Sequence, residues 1–226
     1  MKNINPVIEK KTDETETPMR TSSVDRKTNE TDISIRLNID GTGKAYADTG
    51  VGFFDHMLKS LGKHGRFDMS VKCKGDIYVD FHHTVEDVGI ALGEAYKECL
   101  GNKIGIKRYG VAFTPMDEAM AEVAVTVSDL NYSEDNIQAI IDASGRPFLV
   151  FNAEFALPMV GEFPTELVEE FFRAFAMHSM TALHINVPYG KNTHHIIEAI
   201  FKSVGRALCE AATIDNKTLM STKGVL

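Results

Sequence analysis

Residues 82–86 read HHTVE and residues 194–198 read HHIIE, so two adjacent histidines precede a glutamate in the same arrangement in both halves of the chain. Each string stands at the start of a segment with helical spacing of apolar residues, about 84–100 and about 193–212. The segments upstream of the two strings also follow one order of strands, helix and strand. The sequence therefore predicts an α+β fold built as the internal duplication of one half-domain.

The boundaries of the two halves follow from the same patterns. Alternating apolar residues around the turn dipeptides Asp40-Gly41 and Gly75-Asp76 predict two hairpins in the first half, the second over residues 67–81. The other predicted elements are helices at 52–63 and 165–180 and strands near 110–126, 147–156 and 181–187. The predicted division is a flexible tail at 1–24, halves at about 25–108 and 109–215, and a C-terminal tail at 216–226.

The histidines and the glutamate of each string are suited to metal binding. Residues three apart share one face of a helix, so His83 with Glu86, and His195 with Glu198, are predicted to bind one cation each. The first histidine of each pair diverges from the second by about 100° around the helix and is expected to face another ion. Two ions therefore fit these strings better than a single crowded site.

One further ligand in each half extends the repeat upstream. His56 lies 26 residues before His82 on the preceding helix, and Glu170 lies 24 residues before His194 on the equivalent helix. The predicted ligand set is His56, His82, His83, Glu86, Glu170, His194, His195 and Glu198. These ligands, shared by two six-coordinate ions, leave about two open positions on each, as catalysis requires, and mixed imidazole and carboxylate ligands suit Mn²⁺.

Three histidines outside the strings have simpler interpretations. His64 follows His56 by eight residues and precedes a glycine, so it either lines the site or ends its helix. His178 and His184 are interpreted as ordinary surface or core residues, because a lone histidine on a helix or strand is rarely a ligand.

Basic residues supply a second feature. Lys202 lies four residues after Glu198 and shares its helix face, which is compatible with a phosphate-bearing substrate beside the metals. Arg108, Arg146 and Lys223 are by themselves compatible either with solvated charges or with contacts to phosphate oxygens.

Composition excludes several classes of function. The chain has 226 residues and a formal net charge of -8, so it lacks the basic surface expected of a nucleic-acid-binding protein. No apolar run approaches the length of a membrane span. Three widely spaced cysteines fit a reducing compartment better than a disulfide framework, and a cytoplasmic location is expected.

Several long motifs carry a family resemblance. They are GVGFFDHML (50–58), DFHHTVEDVGIALGEA (80–95), MDEA (116–119), SGRPFLVF (144–151), ELVEEFF (166–172), THHIIEAIFK (193–202) and STKGVL (221–226). With these motifs the sequence closely resembles the imidazoleglycerol-phosphate dehydratases over roughly residues 22–226. The resemblance implies that each half is a four-stranded sheet backed by two helices, as in ribosomal protein S5 domain 2-like folds. It further implies a homo-oligomer of 24 subunits built from trimers, with two Mn²⁺ ions in active sites between subunits.

The resemblance also implies a reaction and roles for residues. The family dehydrates D-erythro-imidazole glycerol phosphate to imidazole acetol phosphate in histidine biosynthesis, with the substrate imidazolate held between the two ions. Glu30 is implied to contact the substrate and is the candidate proton shuttle, and Glu86 and Glu198 are the other candidate catalytic residues. The implied substrate-binding residues are Glu30, His64, Arg108, Arg146, Lys202, Ser221 and Lys223.

Two features depart from the family pattern. Many members have histidine where this chain has Glu170, and the acidic stretch 128–141 is longer than the usual connection and is expected to be a surface excursion. Some relatives carry a fused phosphatase domain, for which the N-terminal tail is too short, so a monofunctional enzyme is expected. Two other functions stay open at this point, a metal-storing or metal-sensing assembly and a metal-dependent phosphoesterase.

Overall fold

A computed structural model describes residues 19–127 and 147–215 of the chain. The elements of the first half are β1 (Thr21–Lys27), β2 (Thr31–Asn38), β3 (Ala45–Asp48), α1 (Gly52–His64), β4 (Asp68–Gly75) and α2 (His82–Leu100). Their strands form a sheet in the order β1-β2-β4-β3, in which β3 and β4 are parallel and the other neighbours are antiparallel.

The second half repeats this arrangement. Its main elements are β5 (Tyr109–Met116), β6 (Ala119–Val127), β7 (Phe148–Asn152), α3 (Leu167–Ser179), β10 (Thr181–Tyr189) and α4 (Thr193–Ala212). A short pair, β8 (Met159–Val160) and β9 (Phe163–Pro164), precedes α3. The second sheet has the order β5-β6-β10-β7, and its one parallel pair is again formed by the third and fourth strands, β7 and β10. The predicted α+β duplication, with two helices on each four-stranded sheet, is confirmed.

Both hairpins predicted in the first half are corrected. The turn at Asp40-Gly41 does not join two paired strands, because β2 pairs with β1 and β4 and the chain continues from this turn to β3. After Gly75 the chain turns instead of starting another strand, and Ile77 and Val79 are exposed. Their alternation resembles a strand, but it reflects apolar residues of a surface turn that leads into α2.

Other predicted boundaries hold to within a few residues. The first strand begins at Thr21, inside the stretch 1–24 that was predicted as a tail, and residues 1–18 lie outside the described residues. Helix α2 begins at His82, two residues before the predicted start, which places both histidines of the first string in its first turn. The tail 216–226 and the acidic stretch 128–141 lie outside the described residues.

The helices lie between the two sheets, where α1 packs on α4 and α2 packs on α3. Glycines permit close contact in both pairs, since a Cβ atom at Gly205 would overlap the carbonyl oxygen of Leu61, and one at Gly93 would crowd that of Phe175. The helices of each pair run in the same direction: Phe53 contacts His194 near the starts of α1 and α4, and Gly65 approaches Gly205 farther along. This packing brings the histidine strings close to helices of the other half.

A cluster of aromatic rings fixes the spacing of the helices. Phe171 of α3 stacks on Phe201 of α4 with ring centroids 5.3 Å apart, and its edge meets Phe54 of α1 at the same distance. All three rings are buried. Truncation of such a ring to alanine would cost about 3–5 kcal/mol, so the positions of the helix starts are set by a substantial packing energy.

Candidate metal centre

Three side chains converge where α1 and α4 begin. His194 and Glu198 lie one turn apart on α4, with Nε2 and Oε2 separated by 3.3 Å, and His56 of α1 places its Nε2 atom 3.6 Å from the same oxygen. One ligand atom from each residue lies within 4.8 Å of the others, a spacing that could hold a metal ion. We call His56, His194 and Glu198 the α1–α4 cluster. It combines a ligand from the first half with two from the second.

The start of α4 is fixed by its cap. The Asn192 side chain accepts hydrogen bonds from the backbone N–H groups of His194, at 2.9 Å, and His195, at 3.3 Å. Such a cap satisfies amide groups that the first turn of a helix leaves without a partner. The orientation of the two histidines is therefore set by the loop before α4 as well as by the helix.

Glu198 is buried but remains charged. Burial alone would raise the pKa of its carboxyl group, but Lys202 donates a hydrogen bond at 2.9 Å, and together with His56 and His194 it holds that pKa below the ordinary value. A deprotonated carboxylate is the form that binds a metal ion. The carboxylate of Glu198 is therefore in the form that could bind a metal ion.

Each glutamate is paired with the first histidine of its string, which corrects the predicted pairs. Glu86 lies 3.7 Å from Nε2 of His82, as Glu198 lies near His194, whereas the prediction had joined the glutamates to His83 and His195. Residues four apart are about 40° apart around a helix and residues three apart about 60°, so both spacings allow contact. The second histidines turn instead to carboxylates on neighbouring loops.

His83 lies between two such carboxylates. Its Nδ1 atom is 3.1 Å from Oδ2 of Asp76, and its Nε2 atom is 3.8 Å from Oε1 of Glu30. The hydrogen bond to Asp76 raises the pKa of His83. Glu30 lies in the turn between β1 and β2, and its backbone oxygen accepts a hydrogen bond from the backbone N–H of Asp76 at 3.1 Å.

His195 has a matching environment in the second half. Its Nδ1 atom is 2.8 Å from Oε2 of Glu118, and its Nε2 atom is 3.7 Å from Oδ2 of Asp117. Glu118 also accepts hydrogen bonds from the backbone N–H groups of Asn192, at 2.7 Å, and Lys191, at 3.3 Å. The bond to His195, followed by the backbone donors, lowers the pKa of Glu118 to about 2, and Glu118 in turn raises the pKa of His195.

Glu170 occupies the place in α3 that His56 occupies in α1. His56 lies five residues before Leu61, the contact point with Gly205, and Glu170 lies five residues before Phe175, the contact point with Gly93. We call Glu170, His82 and Glu86 the α2–α3 cluster. Within the described ranges these three do not reach the 4.8 Å spacing of the first cluster, and Nε of Arg173 lies 3.9 Å from Glu170.

The predicted substrate-binding residues are placed differently from one another. Lys202 contacts Glu198 directly, and the exposed His64 lies near it, where partial burial and then the charges of Lys202 and Arg206 lower the His64 pKa. Arg108 is far from the α1–α4 cluster. Its backbone bonds to Ala211, 16 residues after His195 on α4, which is about 24 Å along the helix axis. Three predicted residues lie outside the described ranges: Arg146, Ser221 and Lys223.

Within residues 19–127 and 147–215, His178 has no ion pair with a carboxylate of the kind that the candidate histidine ligands make. Its Nδ1 atom is 2.8 Å from the backbone oxygen of Ala174, one turn earlier on α3. The position supports the interpretation of His178 as an ordinary helix residue, eight residues beyond Glu170.

Two carboxylates of the site were not among the predicted residues, Asp76 and Glu118. A signal for Glu118 was present, since it stands immediately before β6 as Glu30 stands immediately before β2. The sequence pattern places Asp76 in a hairpin turn, but in the described structure no strand lies between Gly75 and α2, and Asp76 lies in the loop before α2. Only the packing of the turns against the helix starts reveals the contacts of these residues with the histidines.

The family model for imidazoleglycerol-phosphate dehydratase matches residues 49–208. The imidazoleglycerol-phosphate dehydratase of Rhodopseudomonas palustris strain TIE-1 is 53% identical over 211 residues, which cover 92% of this chain and 99% of the relative. That of Clostridium kluyveri strain DSM 555 is also 53% identical, over 92% of this chain and its own full length.

Among the helices that the structure describes, none has the length and apolar character needed to cross a bilayer.

Solved structures agree with these relatives. The imidazoleglycerol-phosphate dehydratase of Staphylococcus aureus superposes with a TM-score of 0.70 at 37% identity, over 86% of this chain and 99% of the other. IGPD from Pyrococcus furiosus, solved in complex with (S)-C348, superposes with a TM-score of 0.73 at 32% identity, over 90% of this chain and all of the other. The duplicated fold, the paired histidine strings and these matches agree, and the chain belongs to the imidazoleglycerol-phosphate dehydratases, hydro-lyases of histidine biosynthesis.

Proposed function

We propose that the chain dehydrates D-erythro-imidazole glycerol phosphate to imidazole acetol phosphate, with two Mn²⁺ ions in each active site. The observation that carries this proposal is the convergence of His56, His194 and Glu198 from two halves of the chain onto one point. A grouping of two imidazoles and a carboxylate suits Mn²⁺, which accepts both nitrogen and oxygen ligands. We assign Lys202, beside this grouping, to the substrate phosphate.

The residues fit two ions better than one. The α1–α4 cluster would hold one ion, and the α2–α3 cluster is the equivalent place for the other. The second histidines, His83 and His195, have Nδ1 on a neighbouring carboxylate, and they complete the proposed ligand set. When bound, the two ions would hold the substrate imidazole between them as imidazolate and stabilise the charge that develops when an adjacent C–H bond breaks.

The chain's own carboxylates would move the protons. The reaction takes a proton from carbon and removes a neighbouring hydroxyl group as water, which leaves an enol that becomes the ketone. Glu30 is our candidate for the proton shuttle, because its half-exposed carboxylate stands 3.8 Å from His83 at the edge of the site. Glu86 and Glu198 are proposed to act beside it as metal ligands that also contact the reacting groups.

The position of Arg108 supports a site shared between subunits. We assign Arg108, Arg146, Lys202, Ser221 and Lys223 to the phosphate group, and His64 to substrate binding without a specified group. Arg108 lies about 24 Å along α4 from His195 of its own chain, so its contact with a substrate at the metals requires a neighbouring chain. The proposal therefore includes self-assembly to 24 subunits built from trimers. It also includes a cytoplasmic location, in keeping with three free cysteines.

The test is dehydration of the substrate by the purified chain with Mn²⁺, followed through the enolisable ketone product. We expect turnover with Mn²⁺, no turnover after chelation, and recovery when Mn²⁺ returns. Bound Mn²⁺ without product formation would instead indicate a metal-storing or metal-sensing assembly. Release of inorganic phosphate without ketone formation would indicate a phosphoesterase.

Assembly has its own measurement. Because ions shared between chains stabilise the assembled state, chelation is expected to lower both the particle mass in light scattering and the thermal stability. A chelated protein that keeps its full mass and melting temperature would contradict the shared site, whatever the outcome of the dehydration assay.

A further inference from the structure

The second histidine of each string is held in the same way. In both halves Nδ1 faces a carboxylate at hydrogen-bonding distance, 3.1 Å for His83 and Asp76 and 2.8 Å for His195 and Glu118. In both halves Nε2 lies near a second carboxylate, 3.8 Å from Oε1 of Glu30 for His83 and 3.7 Å from Oδ2 of Asp117 for His195. The two rings are therefore oriented alike, with Nδ1 bonded to an anchoring carboxylate and Nε2 left as the other possible metal-binding atom.

The two anchoring carboxylates do not occupy equivalent positions. Asp76 lies in the loop between β4 and α2, whereas Glu118 lies in the turn between β5 and β6. Each nevertheless ties the hairpin turn of its half to the loop before the histidine helix. Asp76 does so by donating its backbone N–H to the oxygen of Glu30, and Glu118 by accepting from Asn192. The same contact with a histidine Nδ1 atom is therefore made by the loop before the helix in the first half and by the hairpin turn in the second half.

We propose that Asp76 and Glu118 are positioning residues that fix the tautomer and ring orientation of His83 and His195 for metal binding through Nε2. The inference rests on the proposed metal site and adds these two residues to it. A neutral imidazole that binds a metal through Nε2 carries its proton on Nδ1, and a carboxylate that accepts this proton's hydrogen bond selects that form. Neither carboxylate needs to touch the substrate.

A purely structural role would not account for the duplication of the contact. Glu118 supports the loop before α4 through two backbone N–H groups, but Asp76 makes no such pair of bonds among the described residues, and it contacts its histidine all the same. What the two carboxylates share is the bond to Nδ1. A histidine that binds a metal through Nε2 needs its proton on Nδ1, and this shared hydrogen bond keeps the proton there.

The experiment measures Mn²⁺ affinity by calorimetry on the full chain after chelation and dialysis. We expect Asp76→Ala and Glu118→Ala each to weaken Mn²⁺ binding at one class of sites by about 10- to 100-fold, the usual effect of removing a hydrogen-bond partner of a metal ligand. Asp76→Asn and Glu118→Gln keep an acceptor oxygen and should recover part of the affinity. Glu122→Gln is the matched control, since Glu122 lies four residues after Glu118 and bonds to Asn186 instead.

Thermal melting of each variant without Mn²⁺ separates positioning from folding. If Glu118→Ala unfolds because two backbone N–H groups lose their acceptor, the Asp76 variants decide the question. Wild-type affinity in the folded alanine variants would overturn the positioning role and leave the proposed enzyme intact. Amide variants that bind no better than the alanine variants would also overturn it. A wild-type chain that binds no Mn²⁺ would overturn both the positioning role and the proposed metal site.

Discussion

The α1–α4 cluster and the α2–α3 cluster occupy equivalent places in a duplicated fold but differ in how closely their side chains approach. In the first, the Glu198 side chain is 11% exposed and bonds to Lys202. In the second, the Glu86 side chain is 46% exposed and lies 3.7 Å from His82. The difference teaches that contacts within the protein hold the first cluster together, whereas the described side chains of the second cluster are more exposed and lie farther apart.

The largest expected effect comes from removing the buried carboxylate. Glu198→Ala takes away the residue around which the first cluster forms and leaves Lys202 without its partner, so we expect loss of one Mn²⁺ per subunit. Metal-ion catalysis supplies several kcal/mol, so kcat should fall by at least about 100-fold. Elemental analysis and the dehydration assay measure both quantities. Two ions per subunit in this variant would contradict the assignment, and Glu122→Gln is the control.

The next effect tests whether the second cluster is a true counterpart. We expect Glu170→Ala to empty or weaken one of the two manganese sites and abolish turnover, because its carboxylate stands where His56 stands in the first cluster. Glu170→His should retain metal and some activity, since imidazole and carboxylate are both Mn²⁺ ligands. Metal content and turnover are compared for the two variants. Full occupancy in Glu170→Ala would break the equivalence of the clusters.

A smaller effect is expected away from both clusters. Arg108→Ala and Lys223→Ala remove charges assigned to the phosphate, and a hydrogen bond to a charged group is worth about 1.5–3 kcal/mol, so KM should rise by about 10- to 100-fold. Both ions should remain bound, because neither residue is a proposed ligand. Steady-state kinetics measure the KM, and elemental analysis measures the bound Mn²⁺. Metal loss in either variant would show that the assignment to phosphate is wrong.

The smallest effect is expected at His178, which shares α3 with Glu170. The one hydrogen bond of its ring among the described residues goes to the helix backbone one turn earlier, and not to a carboxylate or another histidine. His178→Ala should therefore change the free energy of unfolding by no more than about 0.5 kcal/mol and leave the Mn²⁺ content unchanged. Thermal melting and elemental analysis provide the measurement. Metal loss in His178→Ala, together with full occupancy in Glu170→Ala, would show that the α3 ligand is His178, eight residues after Glu170.

Periodicity predicted the helices well and the strand pairing poorly. Helices α2 and α4 were predicted within two residues because their apolar stripes are long and regular. The dipeptide Asp40-Gly41 correctly marks a turn, but a turn does not say which strand comes next to which. That choice depends on the parallel pairing of β3 with β4, which joins residues far apart in sequence.

The ligand residues could be predicted more easily than their grouping. Two matched strings identified the histidines and glutamates, and helical spacing allowed each glutamate to reach either histidine. In the structure, Asp76 and Glu118 bind the second histidine of each string, and each glutamate lies beside the first histidine. The contacts of Asp76 and Glu118 arise only from tertiary packing. For the same reason, nothing in the spacing of His56 indicated that it joins Glu198 of the other half.

The exchange of ligands between halves bears on how such a chain could have originated. His56 completes a cluster with residues of the second half, and α3, which carries Glu170, packs on α2, the helix that carries the string of the first half. A polypeptide of half this length could not form either cluster alone, but two copies related by twofold symmetry would form both. If the ancestor already bound metal in this way, it was a dimer, and gene duplication with fusion turned an interface between molecules into the interior of one.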